Sequence, residues 1–485
     1  MVDSQSPATL EPLRSVHTTN FPALLNQLGL SLVVSTYQAG KVVLVRADGD
    51  ALNTHFRIFS KPMGLATDST GRLAIGTSSH IWEFRNVPAV ATKLEPAGKH
   101  DACFLPRNIH VTGDIDIHEM AWGTEGLWFI NTRFSCLCTQ DNDHSFVPRW
   151  RPPFVSAYAP EDRCHLNGME LIEGVPKYVT ALGTTDIAGG WRETKAHGGI
   201  LMDITTNEIL VQGLSMPHSP RWYRDRLWVL ESGDGSLATI DLATGKIDVV
   251  VQLPGFTRGI DFYGPFAFVG LSQVRESAVF SGIPLTERLT ERICGVWVVN
   301  IDQGEVIAFL KFEDAVQEIF AVQVLPGIRF PELFVEENEF LKSSYVLPDD
   351  ALAEVELSNA PPSEAEQSFQ AGLRAYQAGQ LEVAEQHYRR GLELHPQQMN
   401  ARYQLGVMLV DLQQWQAGIE QLEQVVAERS DHVEAHNSLG VAYLNLGNHK
   451  KAQWHFERAI ALNPGFAIAR NNLSALQQLM SQDMS

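Results

Sequence analysis

Cysteine is scarce in this chain. Five residues in 485, Cys103, Cys136, Cys138, Cys164 and Cys294, make an odd and sparse set. That excludes a disulfide-stapled scaffold and predicts buried thiols in a reducing cytoplasm. Long apolar runs are also missing. The longest, such as SLVVSTY and KVVLV, have strand length, and none is long enough for a membrane-crossing helix. The polar N-terminus, MVDSQSPATLEPLRSVHTTN, has no basic region followed by an apolar core, so no secretory leader is expected. Basic residues are outnumbered, 37 against 57 acidic, for a net charge of −20. That balance argues against a nucleic-acid surface and against binding to anionic membranes. No G-x-S-x-G, H-E-x-x-H or EF-hand loop is present. The glycine-rich run Gly183–Gly199 lacks the lysine–serine ending of a phosphate loop, which rules out nucleotide binding there. It reads instead as a long ordered loop at a blade edge, with Asp186, Trp191 and Arg192 as candidate lid or ligand contacts, or equally as a packed loop anchored by Trp191.

What the chain does have is repetition. A polar residue, a small or apolar pair, a turn and an apolar strand-like run recur six times. The copies begin at Met63, His118, Asn167, His218, Arg258 and Glu318, 40 to 60 residues apart. Repeats of that length built from short strands predict a β-propeller. Three strand signals, SLVVSTY, KVVLVRA and THFRIFS, precede the first copy. After the last copy only IFAVQVL remains. Three strands from the start and one from the end complete one four-stranded blade, so six blades are expected over residues 31–335. Residues 1–30 read as an arm with a short helix at FPALLNQLGL.

Residues 336–363 read as an acidic linker, partly docked through Phe340 and Tyr345. With Glu332, the run from 331 holds eight acidic residues against Lys342 alone, and Pro361-Pro362 ends it. From Glu364 the apolar period becomes helical and a 34-residue repeat begins. Gly372, Gly406 and Gly440 share this spacing, as do Ala384, Gly418 and Ala452, and Tyr388, Leu422 and Phe456. Small residues let two helices approach, and large ones fill between them. Pro396, Ser430 and Pro464 close the units. This pattern resembles the tetratricopeptide repeat, with units at 364–397, 398–431 and 432–465 and a capping helix at 466–482. The resemblance implies a concave face for a protein or peptide partner. Gly418 and Ser430 depart from the pattern, so a looser second turn is expected. The expected fold is thus an all-β six-bladed propeller followed by an all-α repeat solenoid.

Residues at equivalent inner-strand positions of a propeller form a ring about the axis. Here the ring is Met63, His118, Asn167, His218, Arg258 and Glu318. Two imidazoles, a carboxylate and an amide can hold a divalent metal with open positions. His118, His218 and Glu318 are the candidate ligands, for iron, zinc, manganese or calcium. In an enzymatic version the metal activates water or oxygen, as in a hydrolase or a non-haem iron oxygenase. His118, Glu119 and Arg258 are then the catalytic candidates, with Arg258 holding an anionic group. Asn167, His165 and Arg221 are further ligand contacts at the mouth. In a binding version the same ring recognises a small polar ligand or a peptide without chemistry. A plain polar channel holding water, or a passive propeller beside a partner-binding repeat array, are the other readings. Cys136-Leu137-Cys138 places two thiols on one strand face without a second pair at zinc spacing. Cys164 beside His165 is a weak nucleophile candidate, because adjacent strand residues point opposite ways.

The ordered motifs DIDIHEMAW, LWFINTRFSCL, EDRCHLNGM, YVTALGTTD, MPHSPR, LPGFTRG, FVGLS and VQEIF resemble a bacterial family of conserved hypothetical proteins, a domain of unknown function. The resemblance spans nearly all of residues 20–335. In architecture the chain also looks like the gluconolactonase/senescence-marker propellers. That likeness implies an axial divalent metal held by carboxylate and Asn ligands. Asn167 and Glu318 match that chemistry, whereas His118, His218 and Arg258 depart from it. The likeness therefore implies an architecture and not a lactonase activity.

Overall fold

The computed structural model describes residues 13–273, 282–313, 315–353, 363–377, 379–463 and 466–482. Residues 1–12 of the expected arm, Glu354, Glu356, Pro361 and Pro362 of the expected linker, and Pro464 lie outside these. The chain divides into two compact units between Val346 and Leu347.

The first unit is a propeller of six antiparallel sheets. Blade 1 takes its inner strand, Ala321–Pro326, from the end of the unit and Leu30–Thr36, Lys41–Asp48 and Ala51–Ile58 from its start. Blades 2 to 6 follow in chain order, with inner strands Leu65–Thr67, Ile117–Gly123, Leu166–Ile172, Pro217–Tyr223 and Phe256–Tyr263. Each inner strand contacts the next, and Ala321–Pro326 contacts both Phe256–Tyr263 and Leu65–Thr67, so the ring is closed. Closure leaves no inner strand edge open.

Two blades carry a fifth strand that the sequence pattern does not reveal. Ser15–His17 pairs antiparallel with Glu305–Phe312 of blade 6. Pro331–Leu333 pairs parallel with Ala102–Val111 of blade 2. Between the first of these and blade 1 runs the helix Phe21–Leu28. Pro22 suits its first turn, and Gly29 ends it in the left-handed conformation at φ 66°. Phe21 and Leu25 are fully buried in the cluster that blades 1 and 6 share. Each such burial contributes about 1.5–3 kcal/mol.

Neighbouring blades are joined by a repeated polar stitch. The hydroxyls of Ser35, Thr132, Ser232 and Ser272 donate to the carbonyls of Met63, Leu166, Thr257 and Ile319 in the next blade, at 2.5–2.9 Å. A second tier uses carboxylates. Glu119, Glu170 and Asp261 accept the backbone N–H of Met169, Trp222 and Val324 at 2.8–2.9 Å. Close approach also needs small residues. A Cβ on Gly64, Gly168 or Gly259 would lie within 2.2–2.7 Å of atoms in the following blade or of Thr180.

The segment after blade 2's added strand is docked and not free. The helix Glu339–Ser343 brings Phe340 and Leu341 against Val90, Leu105 and Phe334. Tyr345, expected to dock as well, is 79% exposed. Its ring has no apolar bed to bury it. Glu332 is not linker either. It is buried in the added strand, with His55 Nε2 and Arg57 Nη2 each at 2.9 Å and Arg46 Nη1 at 3.8 Å.

The second unit contains three helix pairs and a final helix. The second helices, Leu381–Leu394, Trp415–Glu428 and His449–Leu462, end 34 residues apart. The second turn is therefore no looser than the others. The Ser430 carbonyl accepts from His436 Nε2 at 3.2 Å, which secures the turn in place of a proline. Gly418 stands where alanine is usual because Val410 fills that space, 2.8 Å from where a Cβ would sit. Tyr388, Leu422 and Phe456 lie directly on Gly372, Gly406 and Gly440. The helix Ala467–Gln482 packs on His449–Leu462 as a cap.

Candidate binding site at the propeller mouth

The ring residues are aimed by an unusual local backbone. Lys61, Asp116, His165 and Met216, each two residues before a ring position, have φ between 46° and 57°. This left-handed region is rare for residues with a Cβ, and outliers of this kind gather at functional sites. In blades 3 and 5 the bend turns a carbonyl onto the ring histidine. His118 Nδ1 lies 3.1 Å from Asp116 O and 2.8 Å from Thr132 Oγ1. His218 Nδ1 lies 3.0 Å from Met216 O and 2.9 Å from Ser232 Oγ.

These contacts assign the tautomers. A carbonyl only accepts, so Nδ1 must carry the proton in both rings. Nε2 is then a lone pair facing the channel. Burial, followed by neighbouring His165 and Arg258, holds His118 well below the ordinary imidazole range, and burial followed by Arg258 does the same for His218. Both rings are neutral at pH 7. His165 has the same polarity, because its Nδ1 sits 3.0 and 3.1 Å from the Asp162 carboxylate oxygens. Trp191 Nε1 donates to that carboxylate as well, at 2.9 Å.

The three imidazoles open on a cavity of about 250 Å³. Its apolar walls are Tyr37, Trp191, Met216, Phe256 and Phe320. Arg258 crosses it, donating from Nη2 to His118 Nε2 at 2.9 Å, with its guanidinium 3.9 Å from the Phe320 ring centroid. Its Nε is buried and has no acceptor among the described residues. Asp116 and Glu318 also line the cavity and favour the arginine's charge, which burial alone would weaken.

Of the residues singled out in the sequence, His118, His165, His218, Arg258 and Glu318 line this cavity. Glu119, Asn167 and Arg221 are not in its lining; they border a smaller space of about 20 Å³ that shares His118, His218 and Arg258 with it. The Glu119 carboxylate holds Arg221 and the Met169 amide, so both Glu119 and Arg221 join blades. Asn167 also joins blades, accepting from Thr180 Oγ1 and donating to Pro217 O at 2.8 and 3.0 Å. Asp186 sits in an outer loop. Ser156 N and Arg163 Nη1 donate to it at 2.9 and 2.7 Å and hold its carboxyl down to about 2. Arg192 stacks on Trp191 outside the lining. Met63 is buried in the core between blades.

The expected metal site does not fit these residues. Among the described residues, no three of His, Cys, Asp and Glu converge as ligands. The His118 lone pair that would face a metal is taken by the Arg258 cation. Cys164 is fully buried and its thiol is pushed up to about 12, so it is no nucleophile. Cys136 and Cys138 do share a strand face, with Sγ atoms 3.5 Å apart and both buried. Among the described residues, no helix is long and apolar enough to cross a membrane.

The lining also holds Tyr37, Met216, Phe256 and Phe320, which sequence reasoning passed over. Met216 and Phe256 precede their ring residues by two, and Phe320 follows Glu318 by two. The two-residue strand period was the available signal.

A six-bladed propeller with a histidine–arginine mouth, followed by helical repeats, defines the class of this protein. Residues 19–334, more than half of the chain, match one family model, and the chain belongs to that family, described as "Domain of unknown function (DUF4915)". Tetratricopeptide-repeat models match residues 369–416 and 433–466. No curated protein matches the sequence. Among solved structures, "Crystal structure of MamA" is similar at 24% identity over 25% of this chain and 71% of that one, with a TM-score of 0.24. "Arabidopsis OM64 TPR domain" shares 20% identity over 24% of this chain and 97% of that one, at 0.23. "First TPR of Spaghetti (RPAP3) bound to HSP90 peptide SRMEEVD" shares 19% over 25% and 95%, at 0.24.

Proposed function

We propose that the protein binds a small polar ligand at the propeller mouth and recruits a protein partner through its helical repeats. The observation that carries the first half is the aromatic-walled cavity in which Arg258 and three imidazoles meet. Ligand sites combine apolar walls with a few fixed polar groups in this way. The repeat array supports the second half. Tyr403 neighbours Tyr376, Glu434 and Ser438, and Asn472 donates to Asn437 at 3.0 Å. These side chains come from the first helices of successive repeats and from the cap, so they form one continuous face for a polypeptide.

The test uses the full chain. Incubated with a metabolite extract and re-isolated, the wild type should retain a small molecule that Arg258→Met does not. Incubated with a cell lysate, the full chain should also retain a polypeptide, which a Tyr403→Arg/Asn437→Arg variant should lose while keeping the small molecule. Equal small-molecule recovery from wild type and Arg258→Met would sink the mouth reading.

One observation favours a catalytic version of the same pocket. Asp162 accepts from His165 Nδ1 and orients the ring, the arrangement by which a carboxylate positions a histidine for proton transfer. Asp162→Asn should then slow turnover of the captured ligand while leaving its affinity within a few-fold.

A further inference from the structure

The mouth's hydrogen-bonding inventory is lopsided. His165 and His218 present Nε2 lone pairs, and among the described residues neither receives a donor. Arg258 presents the opposite character. Of its N–H groups, one is taken by His118, and no carboxylate lies within 4.0 Å of it among the described residues. Its buried Nε is left without an acceptor. A pocket of this kind is completed by a molecule that brings an anion to the guanidinium and a proton donor to the imidazoles. Buried donors and acceptors left unmatched are costly, so a ligand lacking either group is rejected. The remaining walls are Trp191, Phe256, Phe320, Tyr37 and Met216, which suit a flat apolar body. The cavity, at about 250 Å³, falls below the range that holds drug-sized ligands.

Building on the small-ligand reading above, we infer that the ligand is a small carboxylate bearing a hydroxyl or amino group on the carbon beside it, with an aromatic or branched apolar remainder. The carboxylate accepts from the guanidinium N–H groups of Arg258 that His118 leaves free. The neighbouring O–H or N–H points at His218 Nε2 and His165 Nε2. The apolar remainder lies against Trp191 and Phe256. An imidazole Nε2 lone pair accepts from either donor. An ammonium would in addition face Asp116 and Glu318, and a hydroxyl would not need them.

Four probes of one shape test this by calorimetric titration of the full-length protein: 3-phenyllactate, phenylalanine, 3-phenylpropanoate and phenethylamine. At least one of the first two should bind. 3-Phenylpropanoate, which lacks the donor, should bind at least tenfold more weakly than the better of them. Phenethylamine, which lacks the carboxylate, should not bind measurably. Arg258→Met should weaken the donor-bearing acid at least tenfold. Should that variant misfold, His218→Phe serves instead, and it should erase the advantage of the donor-bearing acid over 3-phenylpropanoate. Binding of phenethylamine as tight as that of the acids would overturn the inference, since Asp116 and Glu318 would then be reading a cation. Equal binding of all four would reduce the site to its apolar walls. Binding of none would overturn the ligand class. In that case the broader reading stands or falls separately, on Arg258-dependent retention of a small molecule from extract.

Discussion

Arg258 donates a hydrogen bond to Nε2 of His118 across the propeller mouth, at 2.9 Å, from a residue 140 positions away in the chain. This one contact joins blades 3 and 6, consumes the lone pair that a metal would need, and turns a guanidinium toward the cavity. It also makes the tautomer of His118 a consequence of the fold. The proton stays on Nδ1, where Asp116 O and Thr132 Oγ1 accept it.

The two neutral ring histidines give a pH dependence of definite sign. Their folded pKa values lie well below 6.5, with burial as the leading cause. In the range between the folded and unfolded values, the unfolded chain binds more protons, so stability rises with pH there. The full contribution is present above about pH 6.5 and is lost as pH falls from there toward the folded values. The propeller's calorimetric transition should therefore move to lower temperature between pH 7 and pH 5. A His118→Gln/His218→Gln variant should show a shallower slope, and an unchanged slope would contradict the assignment.

Glu119 and Arg221 form a buried ion pair between blades 3 and 5, with the Met169 amide as a further donor. Removing Glu119 takes away the carboxylate bonded to the buried Arg221, leaving Glu170 and Asp261 as its remaining counter-charges. Glu119→Gln should cost about 3 kcal/mol in denaturant unfolding. Glu119→Gln combined with Arg221→Met should recover part of that loss, giving a coupling term in a double-mutant cycle.

Glu332 offers a second electrostatic test. Burial alone would raise its carboxyl, but His55, Arg57 and the Leu333 amide hold it at about 2. Its stabilising contribution is present above the unfolded value of 4.5 and vanishes as pH falls through the folded value. Glu332→Gln should cost about 3 kcal/mol near neutral pH, taking about 1.4 kcal/mol per unit of the displacement. It should also expose residues 331–346 to protease, because the added strand of blade 2 loses its anchor.

Gly168 faces Thr180 Oγ1, Pro220 Cδ and the Ser219 amide at 2.2–3.0 Å from any added Cβ. One of these contacts is backbone and cannot yield alone. Gly168→Ala should destabilise the propeller by about 2 kcal/mol, the usual scale for overpacking. Gly213→Ala is a fair control for crowding, since nothing lies within 4 Å of its added Cβ. Its φ of 85° carries only the conformational penalty.

The blade count, the mixed closing blade and the helical repeats were legible because each rests on periodicity, and periodicity survives without knowledge of partners. The mouth was legible in part. His118, His218, Arg258 and Glu318 follow from equivalent inner-strand positions. His165 stood out as a histidine in a dense polar run. Glu119, Asn167 and Arg221 carry the same chemistry in sequence, but their partners are in the next blade. Whether a polar side chain faces a cavity or a neighbouring strand depends on those distant partners. The left-handed bends at Asp116, His165 and Met216 left no compositional mark either, since no glycine announces them. The two added strands are only three residues long, below the length at which a strand pattern can be told from chance.

The shared blade also sets a timetable. Leu30–Thr36 can pair with its inner neighbour only after Ala321–Pro326 has been made. At about 5–20 residues per second, that edge waits roughly 15 to 60 s during synthesis. Through that interval the nascent chain carries an apolar strand with one open edge, a template for mispairing with other chains. Anything that shields it in that window, whether a chaperone or the ribosome surface, would govern yield without altering the finished ring.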